Sequence, residues 1–162
     1  MPYVGRGHVQ WVGAALYPGG RTAHNLFKID VLTERGFGQK VQCSVSPKSE
    51  RAQLLQMASI AIWDEFVMSN RENFEAVDDM LKVMRQRPDV PCGGLLFIGA
   101  GDFRQIPPIV ESGTRSDTVA ASIKYSKLWP LFNQHTLTQS MRQAEDAEYS
   151  RYSGTNCTNC FH

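Results

Sequence analysis

No stretch of this 162-residue chain approaches the roughly 20 consecutive apolar residues that a membrane-spanning helix requires, so no membrane partner is expected. An excess of one charge is also lacking, because seventeen Lys and Arg stand against sixteen Asp and Glu for a formal net charge of +1. Any contact with nucleic acid would have to come from local geometry and not from a basic field over the whole surface. Cysteine is sparse, at Cys43, Cys92, Cys157 and Cys160, and no secretory leader opens the sequence. That pattern argues against a disulfide scaffold and for a reducing compartment, nucleus or cytosol by default. Repeats and low-complexity segments are absent. What is present is an ordinary globular composition, 42% hydrophobic and 20% charged, in a length that fits one domain with a single core.

The pattern along the chain predicts an alternation of strands and helices. Met1 to Trp11 has no clear period, Val12 to Leu16 could make one helical turn, and Pro18-Gly19-Gly20 is a turn signal. Thr22 to Ile29 reads as a short helix capped by Thr22, with Ala23, Leu26 and Phe27 inward. Residues 30–40 are loop-like, Val41 to Val45 reads as a short strand, Ser49 to Met57 as a helix, and Ser59 to Trp63 as a buried strand. Phe74, Val77, Leu81 and Met84 recur at helical spacing over Asn70 to Gln86, with Glu75, Asp78, Asp79 and Lys82 expected on its surface and Asp78 paired with Lys82. Arg87-Pro88 to Pro91 breaks that helix, and Gly94 to Gly99 is a second buried strand. Ser116 to Ile123 and Lys127 to Phe132 look helical, and His135 to Thr138 extended. Strand, helix, strand alternation implies an α/β fold with a parallel sheet.

Both polar clusters of the sequence fall where such strands end, which is where ligands collect in parallel sheets. The first is Ile60-Ala61-Ile62-Trp63-Asp64-Glu65, an apolar strand that delivers two adjacent carboxylates. One acid so placed can hold Mg²⁺ through its water shell, and the other can take a proton from a water attacking a γ-phosphate. The second is Gly101-Asp102-Phe103-Arg104-Gln105-Ile106-Pro107-Pro108, one strand-plus-helix unit downstream. An amide such as Gln105 both donates and accepts hydrogen bonds without adding charge, and the prolines stiffen the loop that follows. Taken singly, the acid pair is more readily two solvated acids at a loop start, and the second string is as readily a proline-rich turn with surface polar residues.

Four strings in one order carry a resemblance: Gly19-Gly20-Arg21-Thr22-Ala23-His24 through Ile29, Trp63-Asp64-Glu65, Gly101-Asp102-Phe103-Arg104-Gln105, and Leu137-Thr138-Gln139-Ser140-Met141-Arg142-Gln143. From about Val12 to Arg142 the chain resembles the petite-integration-frequency (PIF) family of superfamily 1 DNA helicases, especially the forms attached to Helitron transposons. The resemblance implies a three-layer RecA-like P-loop NTPase domain, with 1–135 a partial first motor domain, 136–149 the start of a second, and 150–162 an unassigned tail. It implies Asp64 as the magnesium acid, with Glu65 beside it as general base, and Gln105 as the residue coupling γ-phosphate state to DNA movement. Arg142 would be an arginine finger acting in cis. Thr22 and His24 would lie along single-stranded DNA. ATP is then the substrate, Mg²⁺ the cofactor, and single-stranded DNA and duplex junctions the partners of a monomeric 5′ to 3′ helicase. Such an enzyme would serve replication, recombination, repair, telomere maintenance or transposition, in the nucleus by default for the family, with mitochondria second.

The sequence departs from that pattern in one respect that matters chemically. A Gly-rich loop ending in Gly-Lys-Ser or Gly-Lys-Thr, whose amides and lysine would cradle the phosphates, is not found in the 162 residues, and Val9-Gln10-Trp11 stands where a Thr-Ala-Ser-like segment is expected. The chain is therefore expected to be a fragment of a motor, truncated at the N-terminus. The alternative is a non-catalytic remnant that at most binds single-stranded DNA. A nuclease using Asp64, Glu65 and Asp102 would need a Glu-x-Lys-type arrangement that the sequence does not show. Cys157-x-x-Cys160 with His162 supplies at most half of a four-ligand zinc site, and Cys43 and Cys92 are expected as small core residues.

Overall fold

The computed structural model describes residues 8–12, 20–30, 40–104, 108, 110 and 114–137. The chain divides into two compact units, Met1–Leu131 and Phe132–His162, and the regular elements of the described residues all lie in the first. No described helix is long and apolar enough to cross a membrane.

Three strands, β1 (His8–Val12), β2 (Ala58–Trp63) and β3 (Leu96–Gly99), form one sheet in the order β1-β2-β3, with both pairings parallel. Parallel neighbours require crossovers. These are supplied by α1 (Ala23–Phe27) and α2 (Glu50–Met57) between β1 and β2, and by α3 (Arg71–Met84) between β2 and β3. Val12 and Gly99 both stand opposite Trp63, so the three strands end at one level. The first eleven residues show no period in the sequence, yet His8–Val12 is a strand. Pairing along β2 supplies what the local pattern does not.

The helix starts follow the capping residues. The Thr22 hydroxyl accepts the Asn25 N–H at 3.2 Å, the Ser49 hydroxyl accepts that of Ala52 at 3.2 Å, and the Asn70 side chain accepts that of Glu72 at 2.9 Å. In α3 the apolar stripe of Phe74, Val77 and Leu81 is buried against the sheet, while Val83 on the opposite side is 80% exposed. The buried stripe meets an aromatic cluster: Phe74 lies 4.7 Å from Phe97 and 4.9 Å from Phe66, and Trp63 lies 5.5 Å from Phe66 and 5.7 Å from Phe27 of α1. Strand alternation then puts Ile60, Ile62, Leu96 and Ile98 on the other sheet face. There Ile60 stands opposite Leu96 and Ile62 opposite Ile98, with Leu96 57% and Ile98 43% exposed.

Several expectations are corrected. Asp78 does not lie on the surface of α3. It is fully buried, because its carboxylate accepts the Cys92 N–H at 2.7 Å and pairs with Lys82 at 2.8 Å, the i,i+4 partner read from the sequence. Val41 to Val45 is not a strand but a single antiparallel bridge between Ile29 and Cys43. Asp30 N–H to the Gln42 carbonyl, Ser44 N–H to the Lys28 carbonyl and the Ser44 hydroxyl to the Asp30 carboxylate link the two segments there, just after Lys28 turns left-handed at the end of α1. Lys127 to Phe132 shortens to a single 3-10 turn at Trp129–Leu131, with Pro130 inside it, and 135–137 form no regular element. Cys92 is buried as expected, whereas Cys43 is only half-buried. Of the helical turn expected over Val12 to Leu16, Val12 is instead the last residue of β1, and the rest lies outside the described residues.

Arg85, just past α3, ties the two crossovers together. Its guanidinium donates to the carbonyls of Leu55 at 2.8 Å, Gln56 at 2.9 Å and Ala58 at 3.1 Å, and its Nε to that of Gly93 at 3.0 Å. The carbonyls at the end of α2, which have no helical partners, are thereby satisfied. Gly93 accepts this approach only because it is glycine: its φ is +60°, and a Cβ would sit 2.5 Å from the Leu81 carbonyl oxygen. Replacing Arg85 by Leu should therefore lower unfolding stability by about 2–4 kcal/mol, since several part-buried carbonyls lose a charged donor at once. Urea denaturation measures this, and a loss below about 1 kcal/mol would show the clasp to be incidental.

Candidate active site

Asp64 and Glu65 follow directly on the last residue of β2, and Ala100-Gly101-Asp102 on the last residue of β3. The two strand ends are stitched by backbone bonds, Ala100 N–H to the Trp63 carbonyl at 2.9 Å and Phe66 N–H to the Ala100 carbonyl at 2.8 Å. The acid pair is thus held beside the Gly101-Asp102 segment, as the level ends of the strands require.

Asp64 is half-buried, and its Oδ1 accepts the Glu65 N–H at 3.0 Å. Glu65 is exposed and sits in the left-handed region at φ 52° and ψ 33°, a conformation that costs a residue with a side chain about 1 kcal/mol or more. It is retained because the 3-10 turn Phe66–Met68 begins there, with Phe66 and Val67 buried in the core. Strain of this kind, at an exposed acid, is where function is to be sought.

Two glycines of β3 and its extension let this turn come close. A Cβ on Gly99 would collide with the ring of Phe66, and one on Gly101 would lie 2.8 Å from Val67 Cγ2. Beyond Gly101, Asp102 closes a tight turn. Its Oδ1 accepts the Arg104 backbone N–H at 3.0 Å and the Nε at 2.9 Å, and its Oδ2 accepts the terminal guanidinium nitrogen at 3.0 Å. These bonds to Arg104, side chain first and backbone second, hold the Asp102 carboxyl below its ordinary range. Asp102 is thereby committed to Arg104. Among the described residues no group of three or more His, Cys, Asp or Glu is gathered as a metal site, so the trio a nuclease would use is not assembled.

The other sequence-derived residues fall as follows. Thr22 spends its hydroxyl on capping α1, and His24 is exposed on that helix. Phe27 of α1 stacks on Trp63, the residue before Asp64, so this segment and the acids share one core contact. Gln105, Arg142 and the Cys157 to His162 tail lie outside the described residues. Sequence reading missed the surroundings of Phe103: its ring meets Trp129 edge-on at 5.5 Å, and the Lys124 ammonium stands 4.1 Å from its centroid. No local pattern links residues so far apart in the chain. The left-handed Glu65 was equally invisible, since nothing in its residue type asks for it.

A parallel sheet with helical crossovers and acids at its level strand ends defines the class, an α/β domain, and its likeness to solved helicases makes the fold RecA-like. Solved helicase structures share it: a Pif1 helicase from Bacteroides superposes with a TM-score of 0.56 at 23% identity, covering 79% of this chain and 30% of that one. Pif1 from Candida albicans gives a TM-score of 0.52 at 22% identity over 74% of this chain and 25% of its own. A Bacteroides Pif1 in complex with ADP-AlF3 and single-stranded DNA gives 0.50 at 24% identity, over 68% of this chain and 26% of that chain. The PIF1-like helicase family model matches residues 10–156, and the chain belongs to that family. An ATP-dependent DNA helicase Pif1 from Psychrobacter is 32% identical over 142 residues, 83% of this chain and 21% of that protein. The helicase PIF6 of Trypanosoma brucei brucei is 30% identical over 99 residues, 61% of this chain and 12% of its own. The chain thus spans about a fifth or less of these two relatives.

Two outcomes follow from the packing. Gly101→Ala should destabilise the fold by about 1–3 kcal/mol through overpacking against Val67, and Val67→Ala in the same chain should recover part of the loss. Additive losses in thermal unfolding would rule the contact out. For Asp102, the folded-state pKa lies below the unfolded value, so its contribution is present above the ordinary carboxylate range. That contribution is lost as pH falls through the depressed value. Asp102→Asn should therefore flatten the acid limb of the stability profile, seen in urea midpoints taken from neutral to acidic pH.

Proposed function

We propose that this chain is the part of an ATP-dependent, 5′ to 3′ DNA helicase that carries the water-activating and metal-holding acids of the motor. The observation that carries this reading is the pairing of the Asp64-Glu65 turn with the Gly101-Asp102 turn at level ends of adjacent parallel strands, in a PIF1-like helicase. Residues 1–135 belong in this reading to the first motor domain and 136–149 to the start of the second.

The acids suit magnesium, which takes one or two carboxylates and fills its remaining positions with water and substrate phosphate. Asp64, half-buried with one oxygen on the Glu65 N–H, would hold it, and Glu65 would flank it. When bound, the ion neutralises phosphate charge and orients the γ-phosphate. Glu65 is exposed and free to take the proton of the attacking water at its carboxylate. Gln105 then reports the state of the γ-phosphate, and Arg142 stabilises charge in the transition state. Thr22 and His24 lie along single-stranded DNA, the ligand named for the Bacteroides relative. The motor works as a monomer on single strands and duplex junctions, in the nucleus, with mitochondria second. Genome maintenance at recombination, repair and telomeric sites is its setting, or transposition if the parent is of the Helitron-associated type.

A second reading is favoured by one feature of the sequence, the absence of Gly-Lys-Ser or Gly-Lys-Thr within the 162 residues. On that reading the chain by itself binds single-stranded DNA without hydrolysing ATP. Hydrolysis stimulated by single-stranded DNA separates the two, measured on this chain and on a polypeptide that joins it to a phosphate-binding loop. In an active motor, Glu65→Gln should cut kcat by about 10²-fold or more while nucleotide still binds. A native rate in that variant would remove Glu65 from the role of base, and turnover by the 162-residue chain alone would end the second reading.

A further inference from the structure

The polar turn Asp102–Arg104 leaves the sheet at the edge that carries the acid pair, and its central residue, Phe103, is 38% exposed. It is gripped from two directions, by the edge of Trp129 at 5.5 Å and 89°, and by the Lys124 ammonium at 4.1 Å from the centroid. Both contacts favour the quadrupole of the Phe103 ring.

The gripping residues stand on a firm base. Lys124 belongs to the 3-10 turn Ile123–Tyr125 and Trp129 to Trp129–Leu131. Between them Ser126 donates to Glu75 of α3 at 2.8 Å, and the Tyr125 carbonyl accepts from Arg71 of α3 at 3.0 Å. Ile123 and Leu128 of the same stretch are buried. The turn is therefore referenced to two bodies: to the acid pair, through Gly101 on Val67 and Ala100 on Phe66, and to this α3-anchored platform, through Phe103. The platform is also the last element before the second compact unit begins at Phe132.

We propose that Phe103 is a positioning residue, which through its grip by Trp129 and Lys124 holds the Asp102–Arg104 turn in register with Asp64 and Glu65. It rests on the helicase reading for its catalytic consequence, but not for the contact itself. The turn leads directly into the amide assigned to γ-phosphate sensing, so a misplacement there should affect the chemical step more than the binding of ATP.

The contact is tested on the 162-residue chain by amide exchange at Arg104, whose N–H is held by Asp102. Phe103→Leu should speed that exchange about tenfold and Trp129→Ala similarly, while amides of α3 keep their native rates. Lys124→Met, an exposed substitution that leaves folding intact, should give a smaller increase. Unchanged Arg104 exchange in folded Phe103→Leu overturns the proposal. The consequence is tested in a full-length motor that carries this sequence, where Phe103→Leu should lower kcat for DNA-stimulated ATP hydrolysis about tenfold and leave KM for ATP within about twofold. A proportionate rise in KM, or no loss of kcat, also overturns it. A motor that is inactive before any substitution refutes the helicase reading instead, and the exchange measurement then decides the contact alone.

Discussion

The ring of Phe66 meets two demands at once. It must fill the core beside Trp63, Phe74 and Phe97, with ring centroids 5.5, 4.9 and 5.4 Å away, and it must begin the turn that follows the acid pair. Packing of this density allows few alternative positions for the backbone next to it. Asp64 and Glu65 are consequently placed by the apolar contact of Phe66 behind them. The one polar tie between them, Glu65 N–H to Asp64 Oδ1, is local.

The same ring explains the composition of the neighbouring strand. β3 ends in Gly99 and continues through Ala100 and Gly101, and any side chain at either glycine would strike the Phe66-Val67 turn. Glycine at a strand end is usually weighed for its conformational freedom. Neither of these two has a positive φ, so here the missing Cβ is the property that counts. Close approach of the two strand ends brings the second polar turn beside the acids, and Asp102 then closes that turn on Arg104 in place of offering a third free carboxylate.

Legibility from sequence followed the range of the interaction. The Thr22 cap, helix starts at Ser49 and Asn70, the stripe of α3 and the positions of β2 and β3 are local patterns legible in the sequence, although β3, expected to be buried, leaves Leu96 and Ile98 largely exposed. β1 was not legible, because a strand that depends on its neighbour for definition has little signature of its own. Asp78 was misplaced on the surface because helical periodicity counts an acid as outward, whereas the Cys92 N–H and Lys82 make its burial tolerable. In the candidate site, the acids and the Gly-Asp-Phe-Arg string were legible as strand ends. The Phe103 grip was not, since it joins segments that only the tertiary fold brings together.

Glu65 in a left-handed conformation can be understood from the order in which these constraints act. Phe66 and Val67 are fixed by burial, and Trp63 is fixed by the sheet, so the two residues between them must reverse the chain within a short span. Glu65 takes a positive φ in that reversal, and its N–H donates to the Asp64 carboxylate there. The strain is therefore offset by core packing on both sides and is placed on the acid that faces solvent. A glycine at 65 would relieve the backbone and remove the carboxylate. That this position holds Glu, against its conformational preference, is what supports the role of base proposed for its side chain.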